Sequence, residues 1–258
     1  MKKIEIQAHR GVSNTCPENT LPAFERAIAE SFAYIETDCK FTKDGICVLL
    51  HDNTVNRTCR RPDGSPLDEQ IKISSLTYEE LQKLDAGIYM GTEFAGTRVP
   101  TLEEGLALVK GKNVRIKLDN VFESFDERQF EMFCNIIERA DMGTQLAFAC
   151  KTLPYLAYLA ERFPDAEMNY DGIVTDEALE KAYKHASGRL IIWIPFDNGR
   201  AYWFGGEKAN KSLCAKAKKY GRLGVWATAT RDEVLHAVDE FDADAVESDG
   251  SIKPEHFI

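Results

Sequence analysis

The chain has 258 residues, 44% apolar and 29% charged, a composition that suits one large globular domain with a substantial core. Its 32 basic and 42 acidic side chains give a net charge of −10. That balance argues against general binding to nucleic acid or an anionic membrane, yet allows a locally positive site for a small anion. Seven cysteines, an odd number with no C-x-x-C pair, read as reduced thiols of a cytoplasmic protein and not as a zinc or redox motif. The first residues, MKKIEIQAHRG, have no apolar stretch behind their lysines, so no signal peptide is expected, and no apolar run approaches the ~18 residues of a membrane span.

Short apolar runs alternate with helical patterns, which predicts an α/β protein with a parallel sheet. The length is close to the ~250 residues of a (β/α)8 barrel. Strands are predicted at residues 4–8, 34–38, 47–50, 114–118, 145–150, 166–169, 190–195, 224–228 and 245–247. That is one too many for eight, so 166–169 or 190–195 is expected to be peripheral. Helices are predicted at 21–31 behind a Thr20 cap, at 102–110 behind Thr101, and at 123–140, 153–163, 176–185, 210–220 and 231–241. Between residues 38 and 47 the chain is too short for a helix, and Thr42-Lys43-Asp44-Gly45 reads as a turn, so the second and third predicted strands join without a helical crossover. Residues 57–96, rich in Gly, Pro and Asp, are expected to form an irregular excursion over the barrel with a short helix at 78–84. A single domain spanning residues 1–258 follows.

The chemistry concentrates in the first fifty residues. His9 and Arg10 follow the first strand, Glu36 and Asp38 share one face at the end of the second, and His51 and Asp52 follow the third. Strand ends of a parallel barrel meet around one mouth, which brings two histidines, an arginine and two carboxylates to one rim. Paired carboxylates suit a hard cation, Mg²⁺ or Ca²⁺. Arg10 offers a donor fork that matches phosphate oxygens. Two histidines can divide proton removal from proton delivery. A strand-end histidine alone is ordinarily a surface residue, Glu-x-Asp alone a solvated face, and Asp52 a strand stop. Their joint occurrence at three strand ends points to phosphodiester chemistry.

The ordered set His9-Arg10-Gly11, Pro17-Glu18-Asn19-Thr20, Glu36-x-Asp38, Thr42-x-Asp44-Gly45, Val48-x-x-His51-Asp52, Asn56-Arg57-Thr58, Leu84-Asp85-Ala86-Gly87 and Pro100-Thr101-Leu102-Glu103-Glu104 resembles the glycerophosphodiester phosphodiesterase family over the first hundred residues. In the second half, Val225-Trp226 and Ala245-Val246-Glu247-Ser248-Asp249 resemble its seventh and closing strands. The resemblance implies a (β/α)8 barrel with a divalent metal on Glu36 and Asp38. It implies His9 and His51 as the acid–base pair, Arg10 on the phosphate, and Glu18 and Asn19 lining the site and orienting these groups. Trp226 would be an apolar wall against the glycerol moiety, or simply core.

One position departs from the family. Its fourth strand carries Glu-x-Lys, whereas this chain reads Val114-Arg115-Ile116-Lys117-Leu118-Asp119-Asn120. Arg115, Lys117 and Asp119 share a face in either register. In the preferred reading Lys117 contacts phosphate and Asp119 supplies the missing carboxylate to the metal. In the rival reading the metal site is weakened or lost and Arg115 takes over the charge.

These features converge on a metal-dependent hydrolase that cleaves a small glycerophosphodiester to glycerol 3-phosphate and an alcohol. Two alternatives stay open: a phospholipase of the phosphatidylinositol-specific kind, and a non-catalytic phosphodiester-binding protein on the same scaffold. The alcohol would be selected by second-half loops, including residues 195–206 with Trp203 and Phe204. Self-association into a homo-oligomer is left open.

Overall fold

The computed structural model describes residues 4–196 and 207–257. Its strands are β1 (Glu5–Ala8), β2 (Tyr34–Thr37), β3 (Cys39–Phe41), β4 (Cys47–Leu49), β5 (Arg115–Leu118), β6 (Leu146–Cys150), β7 (Glu167–Tyr170), β8 (Leu190–Pro195), β9 (Arg222–Trp226) and β10 (Ala245–Ser248). Eight of them close a parallel barrel in the order β1-β2-β5-β6-β7-β8-β9-β10, with β10 pairing back onto β1 from Glu5 opposite Ala245 to Ala8 opposite Ser248. The helices are α1 (Leu21–Ala29), α2 (Tyr78–Leu81), α3 (Leu102–Val109), α4 (Glu127–Ala140), α5 (Leu153–Arg162), α6 (Asp176–Ala186), α7 (Lys211–Ala217) and α8 (Arg231–Phe241). Capping boxes at Thr101 with Glu104, Asp126 with Gln129 and Thr230 with Glu233 start α3, α4 and α8. Asp126 therefore sets the start of α4, and Glu123 and Ser124, predicted as its first residues, instead end the 3-10 turn Asn120–Ser124. Thr20 precedes α1 as expected, but its hydroxyl donates to the Pro17 carbonyl and does not cap the helix.

The (β/α)8 expectation holds, with a correction to its strand order. Residues 166–169 and 190–195 both fall in barrel strands, and the strand outside the barrel is the one predicted at 47–50. β3 and β4 form an antiparallel hairpin with Cys39 opposite Leu49 and Phe41 opposite Cys47. A parallel neighbour needs a crossover of about a dozen residues or more, which the chain between Asp38 and Cys47 cannot supply. Thr42 closes the turn by accepting from the Ile46 N–H at 2.9 Å and donating to Asp44 at 2.6 Å. The hairpin and the excursion after it are thus an insertion between β2 and α3. With α3 as crossover, β2 and β5 make an ordinary parallel pair. The insertion has its own small apolar centre in Val48, Leu50, Val55, Cys59, Ile73, Leu81, Ala86 and Val99.

Most of the core lies between the barrel strands and the helices, while the barrel interior is packed in layers. At its floor Glu5 accepts from Arg222 and, at 3.3 Å, from Arg115, and the Tyr34 hydroxyl lies 3.0 Å from both Glu5 and Glu167. Above that charged layer sits the fully buried Trp193. Gly224 makes room for it: a Cβ there would stand 2.3 Å from the indole ring.

Candidate active site

The mouth is assembled from three adjacent strand ends. Just beyond β1, Arg10 takes a left-handed φ of 59°, which costs a non-glycine residue about 1 kcal/mol or more. The turn aims its backbone N–H at Glu36 Oε2, 2.9 Å away. Gly11 continues it at φ 78°, where a Cβ would stand 2.7 Å from Ala23. His9 Nε2 lies 3.9 Å from the same Glu36 oxygen. The Arg10 guanidinium donates to Glu18 at 2.9 Å and lies 3.4 Å from Asp38 Oδ2. Asn19 is buried, also at positive φ, a conformation asparagine tolerates. It donates to Asp38 at 3.0 Å and accepts from Thr37 at 2.7 Å, and so fixes the Asp38 carboxylate.

Glu36, Asp38 and Asp119 bring one carboxylate oxygen each to within 4.8 Å of one another. Register explains the meeting. Lys117 pairs with Glu36, and the Asp119 N–H continues the ladder by donating to Thr37 O at 3.0 Å. The trio is electrostatically frustrated. Burial, then the charges of Asp38, Asp119 and Glu247, push the Glu36 carboxyl well above its ordinary value. Burial and the neighbouring Asp38 and Asp171 push Asp119 up to about 7. A set of hard oxygen donors that repel one another, two of them buried and the third half-buried, fits a Mg²⁺- or Ca²⁺-type cation. Lys117 is buried beside them with its ammonium 3.9 Å from the centre of the Trp193 ring, a cation–π contact. Trp226 stands half-buried against the same interior cluster, on β9.

His51 arrives at the mouth from the β3–β4 hairpin, because Leu50 donates to the Asp38 carbonyl at 3.0 Å and hands the chain back to the rim. Its Nδ1 is 2.6 Å from Asp52 Oδ1. Arg57 bridges outward from there, donating to Asp52 at 2.7 Å and, through both terminal nitrogens, to Glu18 at 2.5 and 2.8 Å. Burial alone would raise both carboxyls, but Arg57 with His51 holds Asp52 at about 2, and Arg57 with Arg10 holds Glu18 below its usual range. A continuous chain therefore runs His51–Asp52–Arg57–Glu18–Arg10–Asp38.

The sequence assigns no role to Arg57 and offers Asp52 only that of a strand stop. Their only signal was membership of the Val48-x-x-His51-Asp52 and Asn56-Arg57-Thr58 matches. Asp171 was also missed. It follows β7, is raised by burial to about 6, and accepts from Asn120 at 3.4 Å. The placement of Arg115 in the rival reading of β5 is corrected. Arg115 lies two residues below Lys117, over the Tyr34 ring and bonded to Glu5 in the floor layer, and does not share the carboxylate site. Of the rim segment 195–206, residues 197–206 with Trp203 and Phe204 lie outside the described residues.

The sequence profile of the glycerophosphoryl diester phosphodiesterase family matches residues 9–249. The chain belongs to that family. Among its relatives in the family, a glycerophosphodiester phosphodiesterase of Caldanaerobacter subterraneus is 43% identical over 119 residues, 46% of this chain and 45% of that protein. The human glycerophosphodiester phosphodiesterase 1 is 39% identical over 119 residues, 45% of this chain and 34% of that protein. These matches thus span less than half of each relative's length. Among solved structures, an Oleispira antarctica phosphodiesterase in complex with the product sn-glycerol-3-phosphate superposes with a TM-score of 0.73 at 22% identity, covering 95% of this chain and 93% of that one. A glycerophosphodiester phosphodiesterase from Agrobacterium tumefaciens gives 0.71 at 21% identity, covering 98% of each chain. At these identities the structural likeness speaks for the fold.

Proposed function

We propose that this chain is a divalent-metal-dependent hydrolase that cleaves glycerophosphodiesters to glycerol 3-phosphate and an alcohol. The observation that carries the reading is the convergence of Glu36, Asp38 and Asp119 within 4.8 Å, beside the Arg10 guanidinium, in a member of this family. The names of the relatives and the product bound in the Oleispira enzyme support the substrate class.

Glu36, Asp38 and Asp119 would hold Mg²⁺ or Ca²⁺, which when bound supplies neutralising charge to the phosphodiester. Arg10 and Lys117 add fixed positive charge on the phosphate oxygens. Glu18 and Asn19 hold Arg10 and Asp38 in place. Asp52 fixes the His51 ring through Nδ1 and leaves Nε2 for proton transfer. One of His9 and His51 takes a proton from water or from the substrate's neighbouring hydroxyl, and the other protonates the leaving alcohol, which predicts a bell-shaped pH profile. Trp226 walls the glycerol moiety. The unit acts as one catalytic domain over residues 1–258. All seven cysteines are buried and unpaired, which suits the cytoplasm, and no helix among the described residues is long and apolar enough to cross a membrane.

The test is release of glycerol 3-phosphate from glycerophosphocholine by chelator-stripped protein, with and without Mg²⁺ or Ca²⁺. Activity should return with metal and fall at least ~100-fold in His9→Ala and in His51→Ala. Full activity without metal, or in both histidine variants, would overturn the assignment.

A further inference from the structure

A groove of about 330 Å³ lies between the β3–β4 hairpin, the insertion and the start of α4, lined among others by Lys40, Lys72, Asn53, Phe125 and Gln129, with no acidic residue in its wall. Among the described residues neither lysine has an ion-pair partner, which is notable on a chain of net charge −10. The groove is built from the continuations of the segments that carry the site. Lys40 stands two residues beyond Asp38, Asn53 two beyond His51, and Phe125 follows the 3-10 turn that succeeds Asp119. Side-chain alternation puts Lys40 on the mouth side. Ile35, Cys39 and Phe41 enter the outer core, Tyr34 and Glu36 face the barrel axis, and Lys40 continues the second set. Lys72 is delivered to the same place by the pairing of Thr54 with Lys72.

The position relative to Trp226 decides what the groove would receive. β9, which carries Trp226, lies four strands around the closed barrel from β5 and so directly across it. With glycerol against Trp226 and the phosphate at the carboxylate trio, the other ester arm would point to the β2–β5 side, whose continuations Lys40 and Phe125 line the groove. Two unpaired ammonium groups over a partly aromatic floor suit an anion and repel a cation.

Resting on the function proposed above, we propose that this groove binds a negatively charged group on the alcohol arm, so that the enzyme prefers glycerophosphodiesters whose alcohol bears a further phosphate or carboxylate. The test compares kcat/KM for glycerophosphoglycerol with that for the same diester carrying a terminal phosphate monoester. We expect a preference of about tenfold for the charged substrate, eroded by salt, as two solvent-accessible lysines would give. The ratio should fall toward one in Lys40→Gln/Lys72→Gln and persist in Lys40→Arg. A ratio near one in the unaltered protein, or one that survives in the double glutamine variant, overturns the inference while leaving the hydrolase reading intact. Hydrolysis of neither diester in the presence of metal overturns both.

Discussion

At the scale of single residues, the telling feature is that the charged groups of the mouth are bound to one another. Arg57 links that set, because among the described residues it alone pairs with both Glu18 and Asp52. Its loss would leave Asp52 free to swing the His51 ring and Glu18 free to release Arg10. Arg57→Ala is therefore expected to lower kcat about 100-fold with a smaller change in KM, since positioning acts mainly on the reacting geometry. Arg57→Lys should recover only part of this, because an ammonium cannot bridge two carboxylates as a planar fork does. Steady-state kinetics with a circular-dichroism check of the fold measure it, and a wild-type kcat in Arg57→Ala would remove the role. Arg10 shows the same economy in its backbone, where a strained φ turns the N–H toward Glu36.

At the scale of elements, the insertion between β2 and α3 both delivers His51 and braces Glu18 from outside. Asp85 organises the bracing loop. Its buried carboxylate accepts from the N–H groups of Gly87 and Ile88 at 2.8 and 2.9 Å and from that of Gly96 at 2.5 Å. Tyr89, in the same loop, accepts from the Glu18 N–H at 3.2 Å. Asp85→Ala should destabilise the protein by about 2 kcal/mol, because three backbone donors, that of Gly87 fully buried, lose a charged acceptor, and should lower activity through Glu18. Burial would raise the Asp85 carboxyl, but these three donors hold it below its ordinary value. Its folded pKa is thus depressed, so its contribution is present above about pH 4 and is lost as pH falls through the folded value. Urea unfolding at neutral pH reads the effect, and a change under ~1 kcal/mol would show that the loop holds without it.

At the scale of the whole molecule, catalytic capacity and stability are expected to oppose each other. Asp119 and Asp171, raised to about 7 and about 6, keep their protons in the folded state over a range where the unfolded chain has released them. Their folded values lie above the unfolded ones, so the metal-free protein should lose stability as pH rises from about 4 to about 7. Asp119→Asn removes the penalty. It should raise the metal-free melting midpoint at pH 8 by about 2 kcal/mol, roughly 4–8 °C in a chain of this size, while abolishing activity. Mg²⁺ or Ca²⁺ should raise the midpoint of the unaltered protein, by ~2.7 kcal/mol at a hundredfold excess over Kd, and leave the variant nearly unmoved. Thermal melts across pH, with metal or chelator, decide it. A lower midpoint in the metal-free variant would mean that Asp119 is not in electrostatic conflict.

Much of this molecule is determined by order along the chain, because its information is local. Alternating strand and helix periods specify the barrel, the caps at Thr101 and Thr230 start their helices, and the strand ends after Ala8 and Thr37 hold the groups that reach the mouth. The short span after Asp38 already ruled out a crossover helix. That the following strand must then leave the barrel, and that 166–169 and 190–195 must both enter it, came from closure, since eight strands have to return to β1 in register. The tertiary structure alone separated Arg115 from Lys117 and Asp119, because one face of a strand spans several layers of the barrel and only cross-strand pairing says which layer each residue meets. It alone revealed Arg57, Asp85 and Asp171 as parts of the site's framework, because their partners lie on other segments and a carboxylate's role is set by the charges that folding brings beside it.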